Sequence, residues 1–368
     1  MTQRRSSAGE LHLEVESQLR AIERGTGDGW VEFGRGIILH VSNLRKEYFG
    51  DLGVTKGALM RYYTRIWPVL RSHVKDRPLV LKRYPSGVGG PMFFQQNVGT
   101  TVPDGVRVER VDTKDDGPKP RIVGGDLLTL LYTVQLGAIE VHPWLSRLPD
   151  VNAADRCLVD LDPGGDVPFS DVVVLAKEIL GLMTRCGLPT AVKTSGSHGL
   201  HLVIPLPART SYDTSAHLAL LIARIAAFHS PDRATVERSL TARPKGTIYV
   251  DAMQNARGKS MVCAYSVRAK AAATVSAPVR ERELTSRLRI SAFTVGTMPA
   301  RLARSGDLWG KALAERPTAG VLARAITVLE QVMDEAPSAI QSRRREIRRP
   351  TGGEGAGTAA RRRRARRG

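Results

Sequence analysis

The chain has 368 residues, of which 42% are hydrophobic, and it carries a formal net charge of +19 at pH 7. This length accommodates one large domain or two moderate ones with well-formed cores, as in soluble globular proteins. No apolar run reaches the roughly 20 residues that cross a bilayer, and the start of the chain lacks the apolar stretch of a secretory signal. We therefore expect an intracellular, cytoplasmic protein that is not bound to a membrane.

The cysteines give no sign of a disulfide framework. There are three of them, Cys157, Cys186 and Cys263, and none lies in a C-x-x-C pair. Cys157 and Cys263 lie in apolar, strand-like runs, where a thiol acts as a small hydrophobic group. We predict that they are reduced and buried.

Positive charge is distributed over the body of the chain as well as its end. Residues 343–368 carry a net charge of +9, which leaves +10 on residues 1–342. An arginine block such as "RRRRARRG" is typical of a disordered segment that binds polyanions, and a basic folded body favours a groove for phosphates. Nucleic acid is therefore the expected partner, and a general arginine bias in composition is the alternative.

Five segments are predicted in chain order. They are a polar leader with a short helix at 1–40, a first module at 41–125, a second module at 126–310, a helical segment at 311–342 and a disordered tail at 343–368. The polar stretch 104–125, which contains Pro and Gly, is a surface hairpin or a linker between the two modules.

The second module shows the clearest periodicity. A strand is predicted at 157–162, followed by a helix that Ser170 caps and that ends near Cys186. The stretches "TAVKTS" and "GLHLVIPL" then predict two strands joined by a tight turn, before a second helix and another strand pair, "TIYVDA" and "MVCAYSV". The order β-α-β-β-α-β-β predicts an α+β fold with a split βαβ arrangement, an antiparallel-rich sheet and helices on one face.

Two carboxylates interrupt the apolar strand "LVDLDPGGD". Asp160 and Asp162 flank Leu161, so both point to one face of the strand. Like charges this close need compensation, and a divalent cation held by hard oxygens supplies it. Capping of the following turn is an equally good explanation of this motif alone. A calcium loop is excluded, because its fifth and twelfth positions would be Gly164 and Asp171.

The second motif is "KTSGSHGLH", which combines small residues with polar donors. Gly196 and Gly199 permit close approach of the backbone, and Lys193, Ser195 and His201 supply donors on the flanking strand ends. Turns of this composition grip polyphosphates. The alternative for a histidine on an apolar strand is a core residue with satisfied hydrogen bonds.

The third motif, "YVDAMQNARGKSMVCAYSVR", places another carboxylate at the end of a strand. Asp251 is that carboxylate, and Lys259 and Arg268 flank the strand that follows. Three carboxylates on neighbouring strands that face a basic turn are typical of sites where divalent ions bridge a triphosphate and promote in-line displacement. Taken alone, Asp251 is equally consistent with a structural role.

Six stretches between Val41 and Trp309 together carry a resemblance to a known family. In order they are "LRKEYFGDLGVTKGALMRYYTRIWPVL", "RPLVLKRYPSGVGGPMFFQQN", "QLGAIEVHPWLSR", "DLDPGG", "KTSGSHGLH" and "VDAMQNARGKSMVCAYSVR". The sequence resembles the archaeo-eukaryotic primase superfamily and, within it, the polymerase domain of bacterial ligase D of non-homologous end joining. The resemblance implies an RRM-like catalytic sheet with an N-terminal α/β module packed on it.

The resemblance also implies a role for each residue of the site. Asp160, Asp162 and Asp251 would hold two Mn²⁺ or Mg²⁺ ions. The nucleotide contacts would be Ser195, His201 and Arg268, with Lys193 and Lys259 as supporting charges and His142 near the nucleotide, where several members favour ribonucleotides. His142 is also consistent with a structural role between Val141 and Pro143.

Four further residues would contact DNA if the resemblance holds. Lys46 and Lys56 align with two lysines that grip a 5′-phosphate at a recessed DNA end, and Phe93 and Phe94 would stack on the template or incoming base. The alternatives are two solvated lysines and an aromatic core pair. One departure from the family is Ala252-Met253 after the third aspartate, where many relatives carry a bulkier residue.

The resemblance implies a DNA-repair polymerase, a nucleotidyltransferase that extends ends or fills gaps with dNTPs or rNTPs. A de novo primase and a non-catalytic end-bridging protein are the alternatives. The stretch "KDDG" at 114–117 formally matches the K-x-D-G of ligases, and we interpret it as a chance match. We therefore expect a stand-alone polymerase, nucleoid-associated, that works beside a separate ATP-dependent DNA ligase and Ku.

Overall fold

The computed structural model describes residues 10–99, 101–113 and 117–347, with side chains up to residue 335. The beginning of the "KDDG" match and residues 348–368 of the predicted disordered tail lie outside the described residues, whereas the first five residues of that tail, 343–347, are helical. Within these ranges no helix has the length and apolar character needed to cross a bilayer. The three cysteines are free, and Cys157 and Cys263 are buried as predicted.

The first half of the chain forms three helices and nine short strands. They are α1 (Leu11–Arg24), β1 (Gly29–Glu32), β2 (Ile38–Val41), β3 (Glu47–Phe49), β4 (Val54–Thr55), α2 (Lys56–Val74), β5 (Leu79–Arg83), β6 (Phe93–Gln95), β7 (Val108–Thr113), β8 (Gly117–Ile122), α3 (Leu127–Gln135) and β9 (Ala138–Pro143). The stretch 104–125 thus contains the β7–β8 hairpin, the first of its two predicted alternatives.

The second half contributes the largest sheet of the described chain. Its elements are β10 (Arg156–Pro163), α4 (Phe169–Arg185), β11 (Ala191–Thr194), β12 (Leu200–Pro205), α5 (Tyr212–His229), β13 (Ala234–Thr235), β14 (Ile248–Asp251), β15 (Pro278–Val279), α6 (Met298–Ser305), α7 (Leu308–Ala312) and α8 (Ala319–Ile347).

This sheet has the strand order β13-β14-β10-β12-β11-β15. Only the short β13–β14 pair is parallel among its strands, and the other pairs are antiparallel. Helices α4 and α5 contact each other and both contact β10. The Cys157 thiol donates to the carbonyl of Ser215 in α5, so the odd-numbered residues of β10 face the helices. The predicted α+β fold with an antiparallel-rich sheet is confirmed, and Asp160 and Asp162 lie on the face away from α5.

Two local predictions need correction. Helix α4 has Pro168 rather than Ser170 at its N-cap, because the fixed φ of proline suits a helix start, and Ser170 lies in the first turn. The stretch "MVCAYSV" does not pair with β14, whose two edges are already occupied by β10 and β13. It runs beside β9 instead, where the Cys263 N–H donates to the Val141 carbonyl at 2.9 Å.

The described part of the predicted polar leader belongs to the folded core. In α1, Val15 and Leu19 are fully buried and Ile22 packs beside them. Their spacing of four and three residues forms an apolar stripe that packs on α2. Residues 11–41 are therefore a structural part of the fold, since this stripe is buried only when α2 covers it.

The two predicted modules share a core. Tyr62 and Tyr63 of α2 donate to the carbonyls of Tyr265 and Ile139, each at 2.7 Å. These bonds join α2 to β9 and to the segment that crosses the open face of the large sheet. The division into two modules at residue 125 stays a prediction. Contacts between the two parts hold β5, β6 and β9 beside the carboxylates of β10.

Candidate active site

Four of the predicted site residues form a row across the large sheet. In the strand register Asp160 lies opposite Asp251 on one side and His201 on the other, and His201 lies opposite Lys193. Residues that are directly opposite on neighbouring strands share one face of a sheet. The three motifs are therefore brought together because β14, β10, β12 and β11 are neighbours.

The carboxylates at this row have little compensation from the chain. Burial and, to a smaller extent, the negative charges of Asp162 and Asp251 raise the pKa of Asp160 to about 7. Asp162 is exposed and lies 3.7 Å from a guanidinium nitrogen of Arg243. Asp251 accepts from the Met253 N–H at 2.7 Å. The arrangement favours binding of positive charge from outside the chain.

The donor set fits a divalent ion. Three carboxylates on one face offer the hard oxygen ligands that Mg²⁺ and Mn²⁺ prefer. The raised pKa of Asp160 reflects its burial first and repulsion from the other two carboxylates second. Among the described residues these side chains are not already gathered around a single point. Asp251 is turned toward its own backbone, so its side chain has to rotate to join the other two.

Beneath the carboxylates lies a chain of hydrogen bonds. The His201 Nε2 atom is 3.3 Å from an oxygen of Asp160, and its Nδ1 atom is 2.8 Å from the Lys193 Nζ. Lys193 is fully buried and also donates to the Ser276 hydroxyl at 2.7 Å. Burial lowers the pKa of His201 and of Lys193 well below their ordinary values. Lys193 therefore positions His201 rather than facing the open site.

The turn between β11 and β12 is built around Ser195. Its hydroxyl accepts from the N–H groups of Ser197 and Gly199, at 3.1 and 3.0 Å. A Cβ at Gly199 would lie 1.9 Å from the Leu161 carbonyl, so this glycine is required for packing of the turn against β10. Gly196 has a φ of +71°, which favours glycine, and leaves room for the side chain of Arg268.

A buried glutamate that the sequence analysis did not identify holds the basic side of the site. Glu140 of β9 is 1% exposed and lies 3.0 Å from Arg268 Nε, 2.9 Å from His142 Nε2 and 3.3 Å from Lys82 Nζ. Although burial opposes ionisation, the hydrogen bond from His142 and the charge of Arg268 hold the pKa of Glu140 well below its usual range. Burial lowers the pKa of His142. Glu140 thus fixes two predicted nucleotide contacts.

A pocket of about 390 Å³ opens over this row. Its walls include several of the predicted residues, namely Asp160, His201, His142, Lys259, Arg268 and Phe94. Lys259 is exposed at its rim. The Asp160 carboxylate thus lies in the wall of the pocket, and the cationic side chains of Lys259 and Arg268 can donate there to phosphate oxygens.

Phe93 and Phe94 are exposed, by 45% and 57%, so the alternative of an aromatic core pair is wrong. They lie on β6, opposite Arg83 and Lys82 of β5. The Arg83 guanidinium lies 5.0 Å from the Phe93 ring centre, and the Lys82 Nζ lies 5.9 Å from that of Phe94. Exposed rings beside cations form a surface on which a base can stack.

Lys46 and Lys56 lie together at the ends of the β3–β4 hairpin, where the Lys56 N–H donates to the Lys46 carbonyl at 2.8 Å. Lys56 is the first residue of α2 and is 4% exposed, with its Nζ bonded to the Ser42 carbonyl at 3.0 Å. Burial and the charge of Lys46 lower the pKa of Lys56 to about 8. Lys56 is therefore not an ordinary solvated lysine, whereas Lys46 is exposed.

Two more residues shape the site without a motif of their own. Arg243 pairs with Asp162 and stacks on the Tyr249 ring, 4.5 Å from its centre. Asn255 is 2% exposed and bonds to both the N–H and the carbonyl of Leu158. Asn255 thereby ties β10 to the turn after Asp251. The only sequence signal was its place four residues after that aspartate.

The chain is similar to known proteins over most of its length. The family model of the LigD primase-polymerase domain matches residues 55–309. The chain is 33% identical over 252 residues to the multifunctional non-homologous end joining protein LigD of Pseudomonas aeruginosa, covering 68% of this chain and 30% of that protein. It is 31% identical over 269 residues to the bifunctional LigD of Bacillus subtilis, covering 73% and 43%.

The fold is also similar to a solved structure, the polymerase domain of Mycobacterium tuberculosis ligase D in complex with DNA. The two align with a TM-score of 0.70 and 30% identity over 76% of this chain and 99% of that one. The chain spans 30% to 43% of the length of the two LigD proteins above. The matched region contains the carboxylate row, the Ser195 turn and Glu140. The chain belongs to the LigD primase-polymerase domain family.

Proposed function

We propose that this protein is a DNA-repair polymerase, a template-directed nucleotidyltransferase that extends DNA ends or fills gaps in non-homologous end joining. The observation that carries the proposal is the row of Asp251, Asp160 and His201, which faces a basic pocket with an exposed aromatic ring at its edge. Its relatives' names refer to end joining, and the similar solved domain was in complex with DNA.

In this proposal Asp160, Asp162 and Asp251 hold two divalent ions, Mn²⁺ or Mg²⁺. When bound, such ions neutralise a triphosphate and acidify the primer 3′-hydroxyl. Arg268 and Lys259 bind phosphate oxygens, which holds the nucleotide for in-line attack on its α-phosphorus with departure of pyrophosphate. His201 donates at the edge of the same site, and the Lys193 contact fixes the orientation of its ring.

The substrate is a gapped or recessed duplex whose 5′-phosphate binds between Lys46 and Lys56. Phe94, and Phe93 beside it, stack on a template or incoming base without reading its identity. The lowered pKa of Lys56 supports a role in binding, because a dianionic phosphate nearby would favour its charged form. Use of dNTPs or rNTPs, a nucleoid location, and cooperation with Ku and a separate ligase remain predictions.

The test is primer extension on a gapped duplex with a recessed 5′-phosphate, with dNTPs or rNTPs and with Mn²⁺ or Mg²⁺. Asp160→Asn removes a carboxylate ligand worth several kcal/mol of transition-state stabilisation, so we expect a rate loss of more than about a hundredfold. Asp232→Asn, at an exposed aspartate after α5, is the matched control and should retain activity.

Stability separates a catalytic from a structural role for Asp160. Its pKa is raised to about 7 in the folded protein, so its ionised form destabilises the fold above that pH. In the absence of metal at pH 8, Asp160→Asn should therefore melt at the same or a higher temperature than wild type. Joint loss of activity and folding would mean that Asp160 supports the fold. DNA binding without any nucleotide addition by the wild type would favour the end-bridging alternative.

A further inference from the structure

A second basic pocket lies at the other end of β10, separate from the site described above. It has a volume of about 160 Å³, and its walls include Arg147, Arg156, Arg316, Asp155 and His73. None of its lining residues lines the pocket over Asp160. Arg156 and Asp160 are four residues apart on one strand, which separates them by about 13 Å at a rise of ~3.3 Å per residue.

Positive charge exceeds negative charge around this pocket. Four guanidinium groups surround Asp155: Arg77 bonds to its Oδ2, Arg147 Nε lies 3.1 Å from the same oxygen, Arg316 Nη2 lies 3.6 Å from it, and Arg156 Nε lies 4.0 Å from Oδ1. All four arginines face this single carboxylate.

The other carboxylate nearby belongs to Asp307, which lies 2.9 Å from His73 Nε2. Burial lowers the pKa of His73, so the ring is neutral at pH 7, and the hydrogen bond from it helps to keep Asp307 ionised. Four cations against two anions leave an excess of two positive charges. That excess equals the charge of a hydrogen phosphate dianion.

Two groups that border the pocket are buried and lack hydrogen bonds. Arg156 is 6% exposed, and in the described chain its guanidinium makes no hydrogen bond. The Oδ1 atom of Asp155 is buried and accepts no hydrogen bond from the described residues, since Arg156 Nε lies 4.0 Å away. Burial and the charge of Arg77 lower the pKa of Arg156 to about 9. Leaving a cation donor and a carboxylate oxygen unpaired is costly, so a bound molecule that pairs with both would be stabilising.

We propose that this pocket binds a phosphate-type oxyanion, with Arg156 and Arg316 donating to its oxygens and Asp155 Oδ1 accepting from its hydroxyl. Hydrogen phosphate has one O–H donor and three acceptor oxygens, which matches these groups. The volume equals about five water molecules at ~30 Å³ each, which accommodates one tetrahedral anion. The proposal does not depend on polymerase activity.

Calorimetric titration of orthophosphate into the full chain tests the proposal, without nucleotide or divalent metal and at constant ionic strength. Arg316→Ala removes a side chain that is 45% exposed, so the variant should fold, and binding should weaken about tenfold. Arg156→Gln should weaken binding at least as much. Sulfate lacks the hydroxyl that Asp155 accepts, and should bind more weakly than phosphate at pH 7.

Two variants serve as controls for the location of the anion. Arg268→Ala removes a phosphate-binding cation of the first pocket, and Arg324→Ala removes an exposed arginine of α8. Arg324→Ala should retain the wild-type phosphate affinity, whereas Arg268→Ala reports on any phosphate that binds in the first pocket. Loss of binding in Arg268→Ala but not in Arg316→Ala would place the anion in the first pocket and overturn the proposal. Equal weakening of phosphate binding by Arg316→Ala and Arg324→Ala would also overturn the proposal. So would the absence of binding at roughly 10 mM phosphate, since a weaker affinity would not indicate a specific site.

A last measurement identifies the source of the phosphate group. Orthophosphate is titrated into the protein saturated with a short duplex that has no terminal phosphates. A drop in phosphate affinity would show that DNA competes for the pocket and would overturn the role of Asp155 Oδ1 as an acceptor, because a backbone phosphodiester has no hydroxyl. Unchanged affinity would identify the natural occupant as a free phosphate.

Discussion

Glu140→Gln is the substitution for which the structure gives the sharpest expectation. Glu140 is buried and lies within 3.3 Å of the side-chain nitrogens of Lys82, His142 and Arg268. It also accepts from the Ala269 N–H at 3.1 Å. The amide keeps the shape and one acceptor but removes the negative charge that two cations share. Both cations would then lie in a partly buried site without a counter-charge.

The size of the expected stability loss follows from how deeply Glu140 and its two cationic partners are buried. Hydrogen bonds to a buried charge contribute about 1.5–3 kcal/mol, and loss of one partner of a buried pair costs about 3–5 kcal/mol. Lys82 and Arg268 are 19% and 15% exposed, so water recovers part of the loss. We expect the free energy of unfolding to fall by about 2–3 kcal/mol, which lowers the melting temperature of a chain of this length by about 3–4 °C.

The stability difference between wild type and Glu140→Gln should also change with pH in a definite direction. The pKa of Glu140 is held below its ordinary value of 4.5 in the folded state. Its contribution to stability is therefore fully present above about pH 4.5 and is lost as the pH falls toward the folded-state pKa. The stability difference between wild type and Glu140→Gln should be constant from pH 6 to 8 and should shrink below about pH 4.5.

Urea denaturation followed by circular dichroism measures this difference at each pH. The control is Glu109→Gln, because Glu109 pairs with Arg107 at 3.1 Å but is 45% exposed. That variant should stay within about 0.5 kcal/mol of wild type. An equally small effect at Glu140, or a difference that grows at low pH, would refute the assignment of Glu140 as the ionised centre of this cluster.

The KM for nucleotide should also rise in Glu140→Gln, because Arg268 loses the carboxylate that positions it.

Three further outcomes are expected. Phe94→Ala should weaken binding of gapped DNA about tenfold in a fluorescence titration, since stacking contributes ~1–3 kcal/mol per base, and an effect equal to that of Leu240→Ala, another exposed apolar residue, would argue against stacking. Lys56→Met should reduce affinity for a 5′-phosphorylated gap and leave an unphosphorylated gap unaffected; an equal loss on both would point to a structural role. Mn²⁺ affinity, measured by electron paramagnetic resonance, should fall by up to about tenfold per pH unit below 7, because Asp160 must lose a proton to bind the ion; a flat profile would contradict this.

The sequence predicted the large sheet well, because β10, β12 and α5 carry strong periodicity and are close along the chain. The site stays a prediction, and its residues could be proposed from the sequence where each lies in a strand or turn with a clear motif, as Asp160 and Ser195 do. It failed for "MVCAYSV", which has the apolar character of a strand. Its pairing depends on which edges of β14 are occupied, and that is a property of the whole sheet.

Glu140 was missed for a related reason. A single glutamate in "AIEVHP" has no local pattern that separates it from an exposed strand residue. The role of Glu140 becomes evident only in the folded protein, where Arg268 Nε lies 3.0 Å from its carboxylate although the two residues are 128 positions apart in the chain. The amphipathic stripe of α1 was misinterpreted as a polar leader because its apolar residues are few, and α2 had to be placed before their burial was evident.

The carboxylate of Glu140 and the three carboxylates around Asp160 differ in a way that bears on function. Glu140 is surrounded by cations of the chain itself, and its pKa is held down, so it serves the folded structure. Asp160 is surrounded by two other carboxylates on the same face, and its pKa is raised to about 7, so its ionised form weakens the fold. Like charges directly opposite on paired strands are destabilising. The chain's own cations thus compensate Glu140 well and Asp160 only in part, which is the arrangement that the proposed binding of divalent ions would require.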